Sequence, residues 1–228
     1  MKKKIKEFII KNFKWIILFI CLIGFLALAE DVFNKEIMNG DIIGYKVVST
    51  FLISDFVTPI AKFITNLGGA IFLIVLTITL FILIKNRKIG LSIFANLTII
   101  TILNQLLKRI LQRPRPTEYR IVEETGYSFP SGHSMISMAF YGYLIYLIYK
   151  YVKNRYIKWI SITLLSILIC TIGVSRIYLG VHYTSDVLGG FLIAISYLVI
   201  YISAINKFLI DKKFSYLAIE ESGENISK

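Results

Sequence analysis

The sequence contains only two histidines, and one of them is followed four positions later by an aspartate, in the pair His182 and Asp186. Side chains four residues apart lie on one face of a helix. An aspartate in that position can accept the proton of one ring nitrogen, which fixes the tautomer and leaves the other nitrogen as a lone-pair nucleophile. A His–Asp pair that merely caps the start of a helix has the same spacing, and this alternative stays open.

The second histidine closes the segment Pro130-Ser131-Gly132-His133, which runs directly into an uncharged stretch. Proline suits the first turn of a helix, and glycine lets the backbone approach a ligand closely. A helix that begins here directs free N–H groups and the positive end of its dipole toward a bound anion. An ordinary helix start capped by Ser131 would look the same.

Basic residues accompany both histidines. Lys108 precedes Arg115 by seven positions, Pro114 and Pro116 hold Arg115 in a stiff extended segment, and Arg176 precedes His182 by six. A guanidinium binds two phosphate oxygens as a fork, whereas lysine supplies a point charge. Taken singly, each basic residue could simply contact lipid phosphates at a membrane surface. Around two histidines, the set predicts a phosphate-binding site.

A metal site is the less favoured interpretation of the same residues. The segments offer two histidines and one adjacent aspartate but no cysteine, and the surrounding cations would repel a metal ion. We therefore expect chemistry without a metal and without any other cofactor.

The composition shows what kind of protein must position these residues. Of the 228 residues, 56% are hydrophobic and only 18% are charged, with a net charge of +12. Soluble domains have about 25% charged residues, and disordered chains are less apolar. Six charge-free stretches are long enough to cross a bilayer, given that flanking Lys and Arg side chains can reach its surface; they are 15–29, 63–84, 89–107, 134–149, 159–175 and 187–206. Lipid obliges the backbone to satisfy its own hydrogen bonds, so the stretches predict an all-α bundle of six transmembrane helices in a single domain over 1–228.

The distribution of positive charge predicts the orientation of this bundle. With both termini in the cytoplasm, 17 of the 26 Lys and Arg residues fall on the inner side. Five of the nine outer ones lie between Lys108 and Arg120, against the general trend. This arrangement places both histidines and Lys108 at the same outer face. We therefore expect the active site at the extracytoplasmic interface of the plasma membrane.

Three parts of the chain need separate interpretations. Segment 30–62 mixes short apolar pieces with charges and predicts amphipathic helices on the outer interface. The first stretch, with Ala27-Leu28-Ala29 after a basic start, could instead be a cleaved signal peptide, which would leave five spans. The polar tail after Lys207 is expected to fray.

The order Lys108-(six)-Arg115-Pro116, then Pro130-Ser131-Gly132-His133, then Ser175-Arg176-(five)-His182-(three)-Asp186 resembles the three-part signature of the type 2 phosphatidic acid phosphatase family. Every position of the signature is filled. Each piece alone is weakly specific, but the three pieces in order, with their spacers intact, are highly specific. The matched region is about a third of the chain, and the predicted spans argue against a relationship to the soluble haloperoxidases that share this pocket.

The resemblance implies a residue role for each part of the signature. His182 would attack phosphorus and form a phosphohistidine, and Asp186 would orient and charge-stabilise His182. His133 would protonate the leaving oxygen and then activate water. The phosphate oxygens would be bound by five groups: Lys108, Arg115, Arg176, Ser131 and the backbone N–H of Gly132.

The expected function is therefore hydrolysis of a lipid phosphate, with undecaprenyl diphosphate, phosphatidylglycerol phosphate or phosphatidic acid as candidates. We favour an isoprenyl diphosphate or phosphatidylglycerol phosphate. A lipid phosphotransferase would share the first chemical step, and a non-catalytic carrier of lipid phosphates or anions would share the basic cluster. The expected partners are the substrate lipid and the bilayer, not nucleic acid; the sequence leaves the oligomeric state open.

Overall fold

The computed structural model describes residues 2–35 and 38–207, with side chains described from residue 12 onward. The described chain is all-α and contains no strand. Residues beyond Lys207, including the predicted fraying tail, lie outside it. The eight helices are α1 (Lys2–Phe33), α2 (Asn39–Leu52), α3 (Val57–Asn66), α4 (Ala70–Leu83), α5 (Arg87–Leu111), α6 (Gly132–Tyr151), α7 (Arg155–Tyr178) and α8 (Thr184–Ile205).

Several of these helices are long and apolar enough to cross a membrane. Four qualify individually within the described residues, namely α1 from Asn12, α5, α7 and α8. The pair α3 and α4 qualifies as a fifth span, bent by 50° at its break. The fourth predicted span, 134–149, corresponds to α6 (20 residues), which is long enough but less apolar than the other spans. Ser134, Ser137, Tyr141 and Tyr143 of this helix are buried, where α6 packs against α5, α7 and α8.

The second predicted span differs from the structure. We predicted one helix over 63–84, whereas the chain forms α3, breaks at 67–69 and continues as α4. The reason lies at Gly68, where a Cβ atom would stand 2.7 Å from Ser137 Oγ and 2.8 Å from the Ile172 side chain. Because α6 and α7 approach the backbone this closely, the chain turns there instead of passing straight through.

The first helix packs along the last one. A Cβ at Gly24 would lie 3.3 Å from Leu192, and the Phe25 ring stacks on Phe129 with centroids 5.7 Å apart. Phe129 is completely buried directly before the predicted site segment. These contacts join α1 to α8 and to the segment directly before α6.

Helix α2 lies within the segment that we predicted to be interfacial, and its two faces differ. Ile43 and Phe51 are exposed, whereas Asp41 and Val48 are buried. A Cβ at Gly44 would stand 2.1 Å from Thr184 Oγ1, so the backbone of α2 rests directly on the start of α8. The apolar outer face suits a membrane surface, and the inner face joins α2 to the end of the bundle that holds both histidines.

Candidate active site

Two loops and the first turns of two helices surround one cavity at this end of the bundle. The loops are 112–131, between α5 and α6, and 179–183, between α7 and α8. The cavity has a volume of about 440 Å³ and continues between apolar side chains of α4, α5 and α6. Five of the eight predicted site residues line it, and they come from four separate parts of the chain: Lys108, Arg115, Gly132, His133 and His182.

His182 is buried between a carboxylate and a guanidinium. Its Nδ1 lies 3.2 Å from Asp186 Oδ2 and 3.2 Å from Ser128 Oγ. Its Nε2 lies 3.1 Å from Arg115 Nη1. Arginine has no acceptor, so it must donate to Nε2, and the ring proton therefore sits on Nδ1 and points to Asp186. This tautomer leaves the lone pair on Nε2, where it accepts from Arg115, and the His–Asp spacing predicts the same nitrogen as the nucleophile.

The surroundings of His182 also favour its uncharged form. Burial lowers the pKa of His182 to about 4, although Asp186 acts in the opposite direction. Arg115 and Arg176 add to the lowering because both are positive. At neutral pH the ring is therefore uncharged, with its one proton on Nδ1, and Nε2 can act as a nucleophile without first losing a proton.

Asp186 is fully buried and accepts hydrogen bonds on both oxygens. Oδ1 accepts from Arg113 Nη1 at 2.7 Å. Oδ2 accepts from the Tyr183 backbone N–H at 2.8 Å and from the Ser128 hydroxyl, in addition to His182. A buried carboxylate with this many donors is held in one orientation. It can therefore fix the orientation of the His182 ring.

His133 is the second residue of α6 and lies half-buried at the cavity. The break between α3 and α4 passes close to it, since a Cβ at Gly68 would lie 3.5 Å from His133 Cδ2. The structure thus brings together the two imidazoles that lie 49 positions apart in the sequence. Both imidazoles line the same cavity.

Lys108 and Arg115 are held by backbone carbonyls. Lys108 Nζ donates to the Tyr127 carbonyl and lies 3.5 Å from that of Ser128. Arg115 donates to three carbonyls of both site loops at 3.0–3.1 Å, those of Thr125, Gly126 and Val181. The two cations are therefore positioned before any ligand binds, which reduces the cost of ordering them on binding.

Arg176, Ser131 and Asp186 do not line the cavity and lie behind its wall. Arg176 is 2% exposed, and its guanidinium donates to Thr65 Oγ1 at 2.7 Å and to the Glu124 carboxylate. Ser131 caps α6, and its Oγ accepts from the Ser134 hydroxyl at 3.0 Å. Gly132 lines the cavity, and a Cβ there would stand 3.2 Å from Asn104 Oδ1.

Glu124 lines the cavity and was not among the predicted site residues. Its carboxylate binds Arg176 and lies 3.8 Å from Arg115. Burial alone would raise the pKa of Glu124, but Arg176 and Arg115 outweigh it and hold the pKa below its ordinary value. The Glu124 carboxylate and a bound phosphate would compete for the guanidinium groups of Arg115 and Arg176. A phosphate that contacts both arginines must therefore replace Glu124 in some of these contacts.

Three further residues of the site were also missed. Arg113 appeared in the sequence only as one of several basic residues, Ser128 as a loop residue, and Asp41 as a charge that argued against a membrane span. No local pattern distinguishes them, because the side chain of each contacts partners at least 54 positions away in the sequence.

The backbone conformation of the loop that carries His182 requires a glycine at position 180. This glycine has φ +68°, and a Cβ would stand 2.1 Å from the Tyr119 carbonyl oxygen. Gly126 provides a matched comparison, since it has φ +76° but open space around the Cβ position. We expect Gly126→Ala to cost about 1 kcal/mol of stability, from the left-handed backbone alone.

Gly180→Ala should cost about 3 kcal/mol or more, because a backbone collision adds to the same conformational strain. Thermal unfolding of the two purified variants in detergent would compare them. Equal melting temperatures would show that the Tyr119 segment does not press on the His182 loop.

The chain is similar in sequence to a protein family and to two curated relatives. The model of the PAP2 superfamily matches residues 89–209. The chain is 30% identical to phosphatidylglycerophosphatase B of Bacillus subtilis (strain 168), over 73% of this chain and 84% of that protein. It is 26% identical to undecaprenyl-diphosphatase of Sulfolobus acidocaldarius, over 80% of this chain and 86% of the relative.

Solved structures show the same architecture. The crystal structure of a transmembrane PAP2-type phosphatidylglycerolphosphate phosphatase from Bacillus subtilis superposes with a TM-score of 0.74 at 27% identity, covering 84% of this chain and 96% of that one. LpxE of Aquifex aeolicus superposes with a TM-score of 0.58 at 24% identity, over 70% of this chain and 92% of that one, and shares the fold.

Proposed function

The chain belongs to the PAP2 superfamily and is a multi-pass membrane lipid phosphatase, and from this membership we propose that it hydrolyses its substrate through a phosphohistidine on His182. The observation that carries the proposal is the shared cavity of about 440 Å³, which is lined by both imidazoles together with Lys108 and Arg115. A site that only bound anions would not need one histidine held in a defined tautomer by a buried carboxylate.

In the first step, His182 Nε2 attacks phosphorus as the bond from phosphorus to the leaving oxygen breaks. In the free enzyme Arg115 donates a hydrogen bond to Nε2. As the N–P bond forms, this N–H must donate to a phosphate oxygen instead, and Arg115 keeps its proton. His133, in its protonated form, gives its proton to the leaving oxygen. The negative charge of a bound phosphate dianion beside His133 favours the protonated form of its ring.

In the second step, His133 takes a proton from water as the water oxygen attacks the phosphohistidine. The N–P bond breaks, inorganic phosphate leaves, and His182 recovers its lone pair. Lys108 and Arg115 neutralise charge on the equatorial oxygens in both transition states, which is the main requirement of phosphoryl transfer. Asp186 keeps the Nδ1 proton in place throughout.

The substrate we propose is a lipid carrying a terminal phosphate or diphosphate. The cavity continues from the histidines between Leu73, Ile74, Leu97 and Ile136, so a headgroup can reach the cations while its apolar tail stays among apolar side chains. The named relatives act on phosphatidylglycerol phosphate and undecaprenyl diphosphate, as their names state. These two lipid classes are our first candidates, and phosphatidic acid is the third.

The decisive experiment is a substrate panel with the purified protein in detergent. We expect release of inorganic phosphate from undecaprenyl diphosphate or phosphatidylglycerol phosphate, with full activity in excess EDTA. The described residues contain no group of three or more His, Cys, Asp or Glu side chains that could hold a metal ion. Activity lost to EDTA and restored by a divalent ion would contradict this mechanism.

The same panel separates the alternatives. A lipid phosphotransferase would release phosphate slowly and transfer it to an added lipid acceptor instead. A carrier would bind the lipids without turnover. A transporter would often place charged residues at mid-membrane, whereas the predicted spans contain none; hydrolysis is therefore the function we favour.

We further propose that both termini are cytoplasmic and that the active site faces outward, on the basis of the charge distribution. In a variant lacking Cys21 and Cys170, a cysteine replacing exposed Glu123 near Tyr127 should react with an impermeant maleimide on intact cells. A cysteine replacing Lys153, in the connection between α6 and α7, should react only after lysis. The opposite labelling pattern would show that the orientation in the membrane is the reverse of the one proposed.

A further inference from the structure

Three charged side chains from three parts of the chain meet beneath the active site. Arg113 Nη2 donates to Asp41 Oδ2 at 2.7 Å, and its Nη1 donates to Asp186 Oδ1 at 2.7 Å. All three are buried: Asp41 is 3% exposed, Arg113 7% and Asp186 0%. One guanidinium therefore joins a carboxylate of the interfacial helix α2 to the carboxylate that orients His182.

Ser185 closes these contacts into a ring. Its backbone N–H donates to Asp41 Oδ1 at 2.8 Å, and its hydroxyl donates to Oδ2 at 2.9 Å. Arg113 Nη1 also donates to the Ser185 hydroxyl at 2.7 Å, and the Tyr183 ring covers the guanidinium at 4.1 Å. Since a guanidinium is planar and rigid, contacts on two edges and one face fix its position against Asp186.

The net charge of Asp41, Arg113 and Asp186 together makes Asp41 significant for the reaction. Two carboxylates and one guanidinium carry a net charge of −1 beside a neutral His182. Burial alone would lower the pKa of Arg113, but Asp186 and Asp41 outweigh it and raise the pKa, so the guanidinium stays charged. Without Asp41, the charge of Arg113 would cancel that of Asp186.

His182 gains positive charge when its Nε2 bonds to phosphorus, because Nδ1 keeps its proton. The nearest cation, Arg115, lies 3.1 Å from Nε2, and Arg176 also opposes that charge. The site therefore needs a net negative charge on the Nδ1 side. Asp186 supplies it only as long as Asp41 balances Arg113.

We propose that Asp41 is a positioning residue for phosphoryl transfer, which holds Arg113 in place and leaves the negative charge of Asp186 available to His182. This inference rests on the proposed function of His182 as the nucleophile. It also assigns α2 a role in catalysis, since this helix otherwise contributes no side chain to the cavity that holds the two histidines.

The test compares Asp41→Asn with Asp55→Asn in the full-length protein. Asparagine at 41 keeps the shape and can still accept from Ser185 N–H, but it lacks the charge. Asp55 is an exposed aspartate just beyond α2 and serves as the control. We expect Asp41→Asn to lower kcat by about 10- to 100-fold, as for outer partners of catalytic groups elsewhere, with KM changed less than about twofold, because Asp41 does not line the phosphate cavity.

Two further measurements separate this role from a purely structural one. In the Arg113→Lys background, Asp41→Asn should lower kcat much less. Lysine cannot bind two carboxylates as a fork, so the contact that links residue 41 to Asp186 is already weakened. In the His133→Asn background His182 is the only histidine, and its ¹⁵N Nδ1 resonance should move in Asp41→Asn but not in Asp55→Asn.

The outcomes are distinct. An unchanged kcat in a folded Asp41→Asn protein overturns the proposal, as does an equal loss in the wild-type and Arg113→Lys backgrounds. If the wild-type protein hydrolyses none of the lipids, the proposed function fails instead. The Nδ1 resonance then still decides whether Asp41 acts on His182, and an unmoved resonance counts against it.

Discussion

Replacing His182 with alanine is expected to lower phosphate release by at least about 10⁴-fold, since loss of a covalent nucleophile leaves only the residual effect of binding and charge stabilisation. The cavity, Lys108 and Arg115 would remain, so lipid binding should persist. The measurement is steady-state release of phosphate from the best lipid of the panel. Thermal unfolding in detergent would establish that the variant is folded.

Trapping of the intermediate provides a second measurement of the same assignment. With ³²P-labelled lipid and an alkaline quench, the wild-type protein should carry acid-labile label, and His182→Ala should carry none. His133→Asn should accumulate label from a substrate with a good leaving group, because the water that must attack the phosphohistidine has lost its base. Retained turnover in folded His182→Ala would show that another group attacks phosphorus.

Asp186→Asn is expected to lower kcat by about 10³- to 10⁴-fold, as loss of the orienting aspartate does in other triads. The carboxylate accepts from Arg113, Ser128, Tyr183 and His182. An asparagine would turn an NH₂ group toward at least one of these donors. The His182 ring would then lose its fixed tautomer and the negative charge that stabilises its phosphorylated form.

The matched control for this variant is again Asp55→Asn, which should leave kcat unchanged. Because Asp186 is fully buried, the melting temperature of Asp186→Asn must be measured alongside its activity. A folded protein with near-normal kcat would mean that Asp186 only caps α8, which is the alternative that the His–Asp spacing alone left open. A large loss of kcat in a folded protein supports the orienting role.

Much of this site was accessible from the sequence because its chemistry is encoded in short segments. The spacing of His182 and Asp186 places them on one helical turn whatever the rest of the chain does. Apolar stretches predicted the all-α class, since lipid permits few other structures. The order of the crossings then predicted that both histidines lie at one end of the bundle, where the structure has them lining one cavity.

Other features depend on contacts between segments that no local pattern records. The break in the predicted span 63–84 follows from the close approach of Ser137 and Ile172 to Gly68. The pairing of Glu124 with Arg176 follows from how the loop 112–131 folds over α7. Neither partner shows in its own sequence neighbourhood that the other will be near.

The sequence by itself determined the class of fold, the type of chemistry and the residues able to perform it, because hydrophobic length, helical periodicity and residue type act over a few neighbouring positions. Only the tertiary structure decided which of these residues face the cavity, and that Arg176 and Ser131 lie behind it. It also decided that Asp41 stands next to Arg113 in a buried ring of charges. Burial and hydrogen-bond partners are properties of the packed bundle, and they arise only when helices distant in sequence come into contact.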